Sequence, residues 1–310
     1  MTRLEELKNE FLEYLEVERG RSFLTIQNYN HYLNRFLDFS QKEGINTSEG
    51  ITLDLVRKYR LFLNRHTDEK GKSLKKITQN YHIIALRALL KYMAKRDIKT
   101  LAAEKVELGD FSRKEIEVID LEEFERMLEA IDISKVMGLR DRTILETLFS
   151  TGLRVSELVN LDRDRINLKT GEFMVRGKGQ KDRLVFLSSE ATEWLSKYLE
   201  KRKDNFKPVF INYRGKEDDI IEGENKRLTQ RSVQRIIKKY AQLAGIVKDV
   251  TPHGIRHLFA TDLLQGGADI RSVQTMLGHA SITTTQIYTH ITNKQLKEVH
   301  QAFHDRRRRR

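Results

Sequence analysis

The sequence predicts a mainly α-helical protein, with an all-helical bundle at its N-terminal end and a mostly helical second domain that contains a small antiparallel β-sheet. Apolar side chains recur every three or four residues through roughly the first hundred residues, which is the period of one helix face. The 310 residues include only two prolines, so long helices are not interrupted. Short alternating stretches break the helical pattern between residues 172 and 212, where we expect the sheet.

Four amphipathic stretches form the predicted N-terminal bundle, residues 1–98. The first begins near Leu4 and stops at Gly20, and the others cover residues 25–39, 53–63 and 73–93. Lysines and arginines on the opposite faces are numerous enough to contact phosphates. The same pattern is typical of an ordinary solvated face, so the sequence leaves both interpretations open.

Periodicity is lost in residues 99–117, which we interpret as a linker before a second domain, residues 118–304. Asp120-Leu-Glu-Glu123 matches a capping box at its first helix. The predicted helices cover residues 121–131, 138–149, 155–161, 189–203, 229–244, 252–264, 270–277 and 282–290. The predicted strands cover residues 172–176, 183–188 and 209–212. The basic tail, residues 305–310, is a like-charge block that we expect to be disordered.

Composition narrows the class of partner. The net charge of +12 favours a polyanion, and nucleic acid is the leading candidate. The sequence has no cysteine, which excludes disulfides and thiolate metal sites and fits a cytoplasmic protein. No apolar run approaches the roughly 20 residues that span a bilayer, so we expect no membrane partner.

Two arginines suit chemistry at a phosphodiester. Arg154 follows Thr151-Gly-Leu, and Arg256 lies in the sequence His253-Gly-Ile-Arg256-His257. Charge builds on the non-bridging oxygens in the transition state, and a guanidinium can bind two of them at once. Either arginine alone would more often form an ordinary salt bridge, so the assignment depends on the pair.

A nucleophile, a base and an acid are also present. Tyr288 is the candidate nucleophile, and it needs a proton acceptor because its ordinary pKa is about 10. His253 is the candidate acceptor. Lys178, between two glycines at the tip of the predicted hairpin, can protonate the leaving 5′ oxygen. Lys181 competes for that role, and spacing does not separate the two lysines.

The histidines admit a second interpretation. His253 and His257 stand four residues apart on one helix face, as in some zinc sites, but the sequence offers no obvious third ligand. We therefore expect no metal site. His279, which follows Leu277-Gly278, is a candidate hydrogen-bond donor to the phosphate, or else an ordinary histidine at a helix C-terminus.

These motifs, in this order and spacing, closely resemble the tyrosine recombinase (phage-integrase) family over essentially the whole chain. The ending Thr285-Gln-Ile-Tyr288 is similar to the Xer branch, which resolves chromosome and plasmid dimers. The resemblance implies a SAM-like core-binding domain and then a catalytic domain. It implies a catalytic set of six residues, Arg154, Lys178, His253, Arg256, His279 and Tyr288.

The resemblance also implies the course of the reaction. Tyr288 forms a 3′-phosphotyrosyl bond, Glu157 supports Arg154, and bond energy is conserved, so no cofactor, ATP or metal is required. Four protomers, identical or shared with a paralogue, assemble on two double-stranded DNA recombination sites. The sequence leaves open whether a septal DNA translocase controls them. Residues 295–303 dock on a neighbouring protomer or pack on their own chain. One departure is Gly254-Ile255, where the family usually has a larger residue and leucine.

Three other functions remain open from the sequence. A mobile-element integrase or excisionase shares the chemistry and differs in its target. A type IB topoisomerase-like enzyme uses a similar residue set to relax supercoils as a monomer. A DNA-binding protein without activity is the third alternative.

Overall fold

The computed structural model describes residues 2–67, 71–109, 119–177, 182–213 and 222–278. The chain divides into two compact units, Met1–Lys114 and Glu115–Arg310. The predicted fold class is confirmed, because the described residues form helices in both units and a three-stranded antiparallel sheet in the second. The predicted helix 282–290 and the arginine tail lie outside the described residues.

The first unit is a four-helix bundle. Its helices are α1 (Arg3–Val17), α2 (Phe23–Lys42), α3 (Leu53–Arg65) and α4 (Lys76–Ala94). Side-chain oxygens of Thr2, Ser22 and Thr52 accept backbone N–H groups at the starts of the first three helices. The apolar faces meet in one core. Helix α4 begins three residues later than the sequence predicts.

The first part of the segment predicted as a linker packs on this bundle. A 3₁₀ turn forms at Ala103–Lys105, and both Ala103 and Val106 are buried in the bundle core. Burial of these two side chains holds the chain against the bundle as far as residue 106.

A buried histidine lies at the centre of the first unit. His82 on α4 is 1% exposed; its Nδ1 lies 3.2 Å from the Tyr59 hydroxyl, and its Nε2 lies 3.3 Å from Nη1 of Arg35. Burial, followed by the charge of Arg35, lowers the pKa of His82 to about 4. The imidazole is therefore neutral in the folded protein at physiological pH.

We expect the first unit to lose stability in mild acid because of His82. Below pH 6.5 the unfolded chain takes up a proton on this histidine, whereas the folded chain does not until about pH 4. The unfolding free energy of α4 should therefore fall by about 3 kcal/mol between pH 7 and pH 4 relative to a His82→Gln variant. Amide hydrogen exchange of α4 in the full chain measures this difference. A His31→Gln control, at an exposed histidine of the same unit, should keep the full pH dependence. The explanation fails if His82→Gln keeps it too.

The second unit is built around one buried helix. Helix α6 (Val136–Thr151) packs against α8 (Ser189–Lys201) and α10 (Pro252–Gln265), and most of its side chains are buried, including the ion pair between Arg140 and Asp141. The helices of this unit are α5 (Leu121–Glu129), α6 (Val136–Thr151), α7 (Val155–Val159), α8 (Ser189–Lys201), α9 (Gln230–Leu243), α10 (Pro252–Gln265) and α11 (Ile270–Leu277).

The sheet corrects one sequence prediction. Its strands are β1 (Ile166–Asn167), β2 (Glu172–Arg176) and β3 (Asp182–Phe186), in the order β1-β2-β3 with antiparallel pairing. The predicted strand 209–212 is wrong. Val209, Phe210 and Ile211 are all buried, and the run bends at residues 209 and 210 between isolated bridges at Pro208 and Ile211, so it is a core segment and not a strand of the sheet.

Candidate active site

A glycine turn places the first arginine. Helix α6 ends at Gly152, whose φ of +58° lies in the left-handed region. A Cβ at this position would lie 2.4 Å from the Phe259 ring, so both the backbone conformation and the packing require glycine. The chain then reverses into α7, and Arg154 stands at the N-cap of that helix with its side chain 32% exposed.

The second arginine lies on α10. Thr251 caps this helix by accepting the Gly254 N–H at 3.1 Å, and Pro252 occupies the first turn. Arg256 follows one turn later and is only 3% exposed. Its Nη1 donates to the Gly152 carbonyl at 2.5 Å, which joins α10 to the turn that carries Arg154.

Three arginines converge on the C-terminal end of α11. The carbonyls of residues 276, 277 and 278 accept hydrogen bonds from Arg183 Nε at 3.1 Å, Arg256 Nη2 at 2.6 Å and Arg154 Nη2 at 3.3 Å, respectively. The last carbonyls of a helix lack partners within the helix and carry partial negative charge, so they attract cations. This helix end therefore gathers guanidiniums that would otherwise repel one another.

A single carboxylate supports two of these arginines. Glu157 accepts Nη1 of Arg154 at 2.8 Å, and it accepts Nη1 and Nη2 of Arg183 at 2.9 and 2.7 Å. Burial would raise the pKa of Glu157, but the hydrogen bonds from Arg183 and Arg154 outweigh burial and lower that pKa to about 2. Glu157 is therefore ionised at every pH at which the protein would work.

His253 lies near both Arg154 and Arg256. Its ring is exposed, yet surrounding protein atoms remove part of its hydration. This desolvation, followed by the positive charges of Arg256 and Arg154, lowers the pKa of His253 below 6.5. A neutral imidazole at pH 7 can accept a proton, as the chemistry of a tyrosine nucleophile requires.

We expect the pH dependence of DNA cleavage to report His253. The rate should be flat around pH 7 and should fall only as the pH drops through the lowered pKa of His253, because the imidazolium cannot accept a proton. Single-turnover cleavage across this range is the measurement. His253→Gln should be slower and should lack the acidic limb, whereas His257→Gln should retain it. If the cleavage rate of His253→Gln fell at low pH as the wild-type rate does, His253 would not be the proton acceptor.

The structure brings together three of the six residues that the sequence singles out: Arg154, His253 and Arg256. The other three, Lys178, His279 and Tyr288, lie outside the described residues. The Gly254-Ile255 departure leaves the site intact. Ile255 is fully buried, and a Cβ at Gly254 would meet only Thr251 Oγ1, at 3.7 Å.

Sequence reasoning missed Arg183. Its side chain is 11% exposed and links Glu157 to the end of α11. A signal was present, since Arg183 is two residues before Val185, whose side chain faces the core, and alternate strand residues share a face. A charged residue on the buried face of a strand requires partners, and Glu157 and the carbonyl of residue 276 supply them.

The described residues contain neither a cluster of metal ligands nor a helix that could span a membrane. No group of three or more histidine, cysteine, aspartate or glutamate side chains there is placed to hold a metal ion. Within the same ranges, no helix has the length and apolarity that a membrane crossing demands.

The chain is a helical bundle followed by a helical domain in which Arg154, Arg183 and Arg256 meet at one helix end, an arrangement suited to binding a phosphate. The phage integrase family model matches residues 117–295, and the N-terminal SAM-like domain of phage integrases matches residues 9–97. The chain belongs to the phage integrase family. It is a tyrosine recombinase, a site-specific enzyme that cleaves and rejoins DNA.

Individual relatives agree with this assignment. The chain is 34% identical to tyrosine recombinase XerD of Staphylococcus aureus strain N315, over 98% of this chain and 100% of the relative. It is 35% identical to XerD of Staphylococcus epidermidis strain ATCC 35984, over 96% and 98%. A post-cleavage complex of XerH recombinase with its palindromic difH substrate has 25% identity and a TM-score of 0.68, over 96% of this chain and 85% of that one.

Proposed function

We propose that this recombinase cuts each DNA strand through Tyr288, forming a 3′-phosphotyrosyl intermediate. The observation that carries the proposal is the convergence of Arg154 and Arg256 on residues 276–278, directly before His279. Both guanidiniums can then bind the non-bridging oxygens of one phosphate, where charge develops during the reaction. His279 follows in the chain and adds a hydrogen bond to the same phosphate.

The proposed cleavage step exchanges one phosphate ester bond for another and transfers two protons. The Tyr288 oxygen attacks phosphorus, its proton passes to His253, and the bond from phosphorus to the 5′ oxygen breaks. Lys178 gives a proton to that oxygen. In the second step a 5′ hydroxyl attacks the phosphotyrosyl phosphorus and gives its proton to Lys178. The bond from phosphorus to Tyr288 breaks and Tyr288 takes its proton back from His253, so the number of phosphodiester bonds is restored without ATP.

We propose double-stranded DNA recombination sites as the substrate and four protomers as the working assembly. The XerH structure holds its palindromic difH substrate, which supports recombination-site DNA as the substrate here. XerD similarity along nearly the whole chain favours dimer resolution over mobile-element integration. The four protomers are copies of this chain, or pairs of it with a paralogue, under the control of a septal DNA translocase. In this proposal residues 1–98 bind the DNA core site, residues 99–117 connect the two domains, and residues 118–304 form the catalytic domain.

The N-terminal end of α4 is the proposed phosphate-contacting part of the first unit. Lys75 and Lys76 are exposed there, and the N-cap side chain of Lys75 accepts none of the first N–H groups of the helix. Phosphates attract both the lysines and the positive end of the helix dipole.

We expect the salt dependence of DNA binding to detect this contact. Replacing Lys75 and Lys76 with alanine should weaken binding and reduce the slope of log affinity against log salt by about 2, since about 0.9 counterion is released per phosphate contact. Binding to a site-containing duplex by fluorescence anisotropy at several salt concentrations gives the slope. Lys58→Ala is the control, because carboxylates of Glu43 and Asp54 already pair with Lys58. An unchanged slope in the double variant would mean that Lys75 and Lys76 do not contact DNA phosphates.

Trapping the covalent intermediate tests the proposed function. Suicide duplexes carry a nick next to the cleavage point, so the released fragment diffuses away and the adduct accumulates. Wild-type protein should form a detergent-stable adduct on a duplex from the host's dimer-resolution region, and Tyr288→Phe should bind the same duplex without forming one. Tyr213→Phe, at a half-buried tyrosine whose hydroxyl contacts Tyr198, should form adduct normally. Failure of the wild type on every candidate duplex would refute the proposal.

A further inference from the structure

We propose that Arg183 is a positioning residue for DNA cleavage, and that it acts on Arg154 through Glu157. This inference rests on the proposed role of Arg154. Arg183 stands on β3, away from the arginine motifs in the sequence, and its contacts join three elements of the site. Its hydrogen bonds go to Glu157 and Met276, and none within the described ranges goes to His253, the proposed proton acceptor.

Both carboxylate oxygens of Glu157 accept hydrogen bonds from Arg154 and from Arg183. Glu157 Oε1 accepts Nη1 of both Arg154 and Arg183, at 2.8 and 2.9 Å. Glu157 Oε2 accepts the backbone N–H of Arg154 at 2.9 Å and Nη2 of Arg183 at 2.7 Å. The two parallel bonds from Arg183 fix the plane of the carboxylate. A fixed carboxylate then holds Arg154 by its backbone and its side chain together.

Arg183 is itself anchored at the C-terminal end of α11. Its Nε donates to the carbonyl of Met276 at 3.1 Å, one residue before the carbonyl that holds Arg256. Gly278 packs closely against it, because a Cβ there would lie 3.0 Å from Arg183 Cδ. Arg183 therefore connects strand β3 to the helix end on which Arg154 and Arg256 converge. The positions of the three guanidiniums are fixed relative to one another by the carbonyls of residues 276–278.

Arg183 also sets the net charge of the group that contains Arg154. Glu157 carries one negative charge, and its neighbours Arg154 and Arg183 carry two positive charges, so the group has a net charge of +1. Without Arg183 the pair of Arg154 and Glu157 would be neutral and would attract a phosphate less strongly. Arg183 thus lets Glu157 support Arg154 without cancelling its charge.

A double-mutant cycle tests the inference. Arg183→Met should slow single-turnover cleavage of a suicide duplex by about 10- to 100-fold, less than the loss of about 10²- to 10³-fold expected for a donor that touches the phosphate. In an Arg154→Ala background, the same substitution should change the rate by less than about threefold, because the group through which it acts is gone. Arg183→Lys keeps the charge and loses the paired bonds, so it should fall between wild type and Arg183→Met.

A matched control separates positioning from general destabilisation. The ion pair of Arg142 with Glu146 resembles that of Arg183 with Glu157, with side-chain exposures of 17% and 6% against 11% and 6%. Arg142→Met should lower the melting temperature as Arg183→Met does, while leaving the cleavage rate unchanged. Arg183→Lys provides the rate should Arg183→Met fail to fold.

Three results would overturn the inference, and they are distinguishable from one another. Equal rate losses from Arg183→Met with and without Arg154 would mean that the two arginines act independently. Normal cleavage in both Arg183 variants, with Arg154→Ala impaired, would refute the inference alone. Normal cleavage in Arg154→Ala would refute the proposed role of Arg154 and the inference with it.

Discussion

Replacing Arg256 with alanine should slow single-turnover DNA cleavage by about 10²- to 10³-fold, since one fixed donor to the transition-state charge is lost. The effect should be large because Arg256 is already held in place. It is 3% exposed and donates to the carbonyls of Gly152 and Leu277, so no ordering of its side chain is required when DNA binds. The rate of adduct formation at saturating protein separates this loss from weaker DNA binding.

The same substitution should destabilise the second unit. Two buried carbonyls would lose their donor, at about 1–3 kcal/mol each. Arg256→Lys is therefore the more informative variant, because it keeps the charge and loses the planar fork. The single-turnover cleavage rate of Arg256→Lys should remain well below that of the wild type. Arg271→Ala, at an exposed arginine in the first turn of α11, should cleave normally. Cleavage by Arg256→Lys at the wild-type rate would contradict bidentate binding.

Replacing Lys178 with alanine should slow cleavage of ordinary DNA by about 10²- to 10⁴-fold, the range of general acid catalysis. The loss should disappear on a substrate in which sulfur replaces the 5′ oxygen at the scissile phosphate. A thiolate leaves without a proton because the pKa of a thiol is about 8.5, whereas an alkoxide needs protonation. Rates on the two substrates, measured side by side, isolate the proton-transfer role from DNA binding.

Lys181→Ala is the matched control for this experiment, because the two lysines are three residues apart in the same segment. It should cleave both substrates alike. Rescue by sulfur in Lys181→Ala, and not in Lys178→Ala, would assign the acid to Lys181. Absence of rescue in both would place the acid elsewhere in the protein.

Local signals predicted most of the fold. Period-3.6 apolar spacing gave α1–α4, and the capping box at Asp120 and Glu123 marked the start of α5. The third strand of the sheet was missed because β1, Ile166–Asn167, is only two residues long. Val209–Ile211 was assigned in its place, because a short apolar run is compatible with a strand and also with a buried core segment.

The site divides in the same way between local and long-range information. Arg154 and Arg256 stand in short motifs, so their residue types and spacing reveal them. The convergence on residues 276–278 joins positions up to 124 residues apart, and motif spacing along the chain does not reveal which distant positions are close in space. The role of Arg183 depends on this long-range geometry, as one carboxylate links it to Arg154 across α7 and β3.

The most direct test of the account is the chemical identity of the covalent adduct. Purified protein is incubated with a suicide duplex in the presence of a metal chelator, the adduct is digested with trypsin, and the nucleotide-bearing peptide is sequenced by mass spectrometry. The account predicts a 3′-phosphate ester on Tyr288 and a free 5′ hydroxyl on the released fragment. An adduct on any other residue, attachment through a 5′ phosphate, or cleavage abolished by the chelator would contradict it.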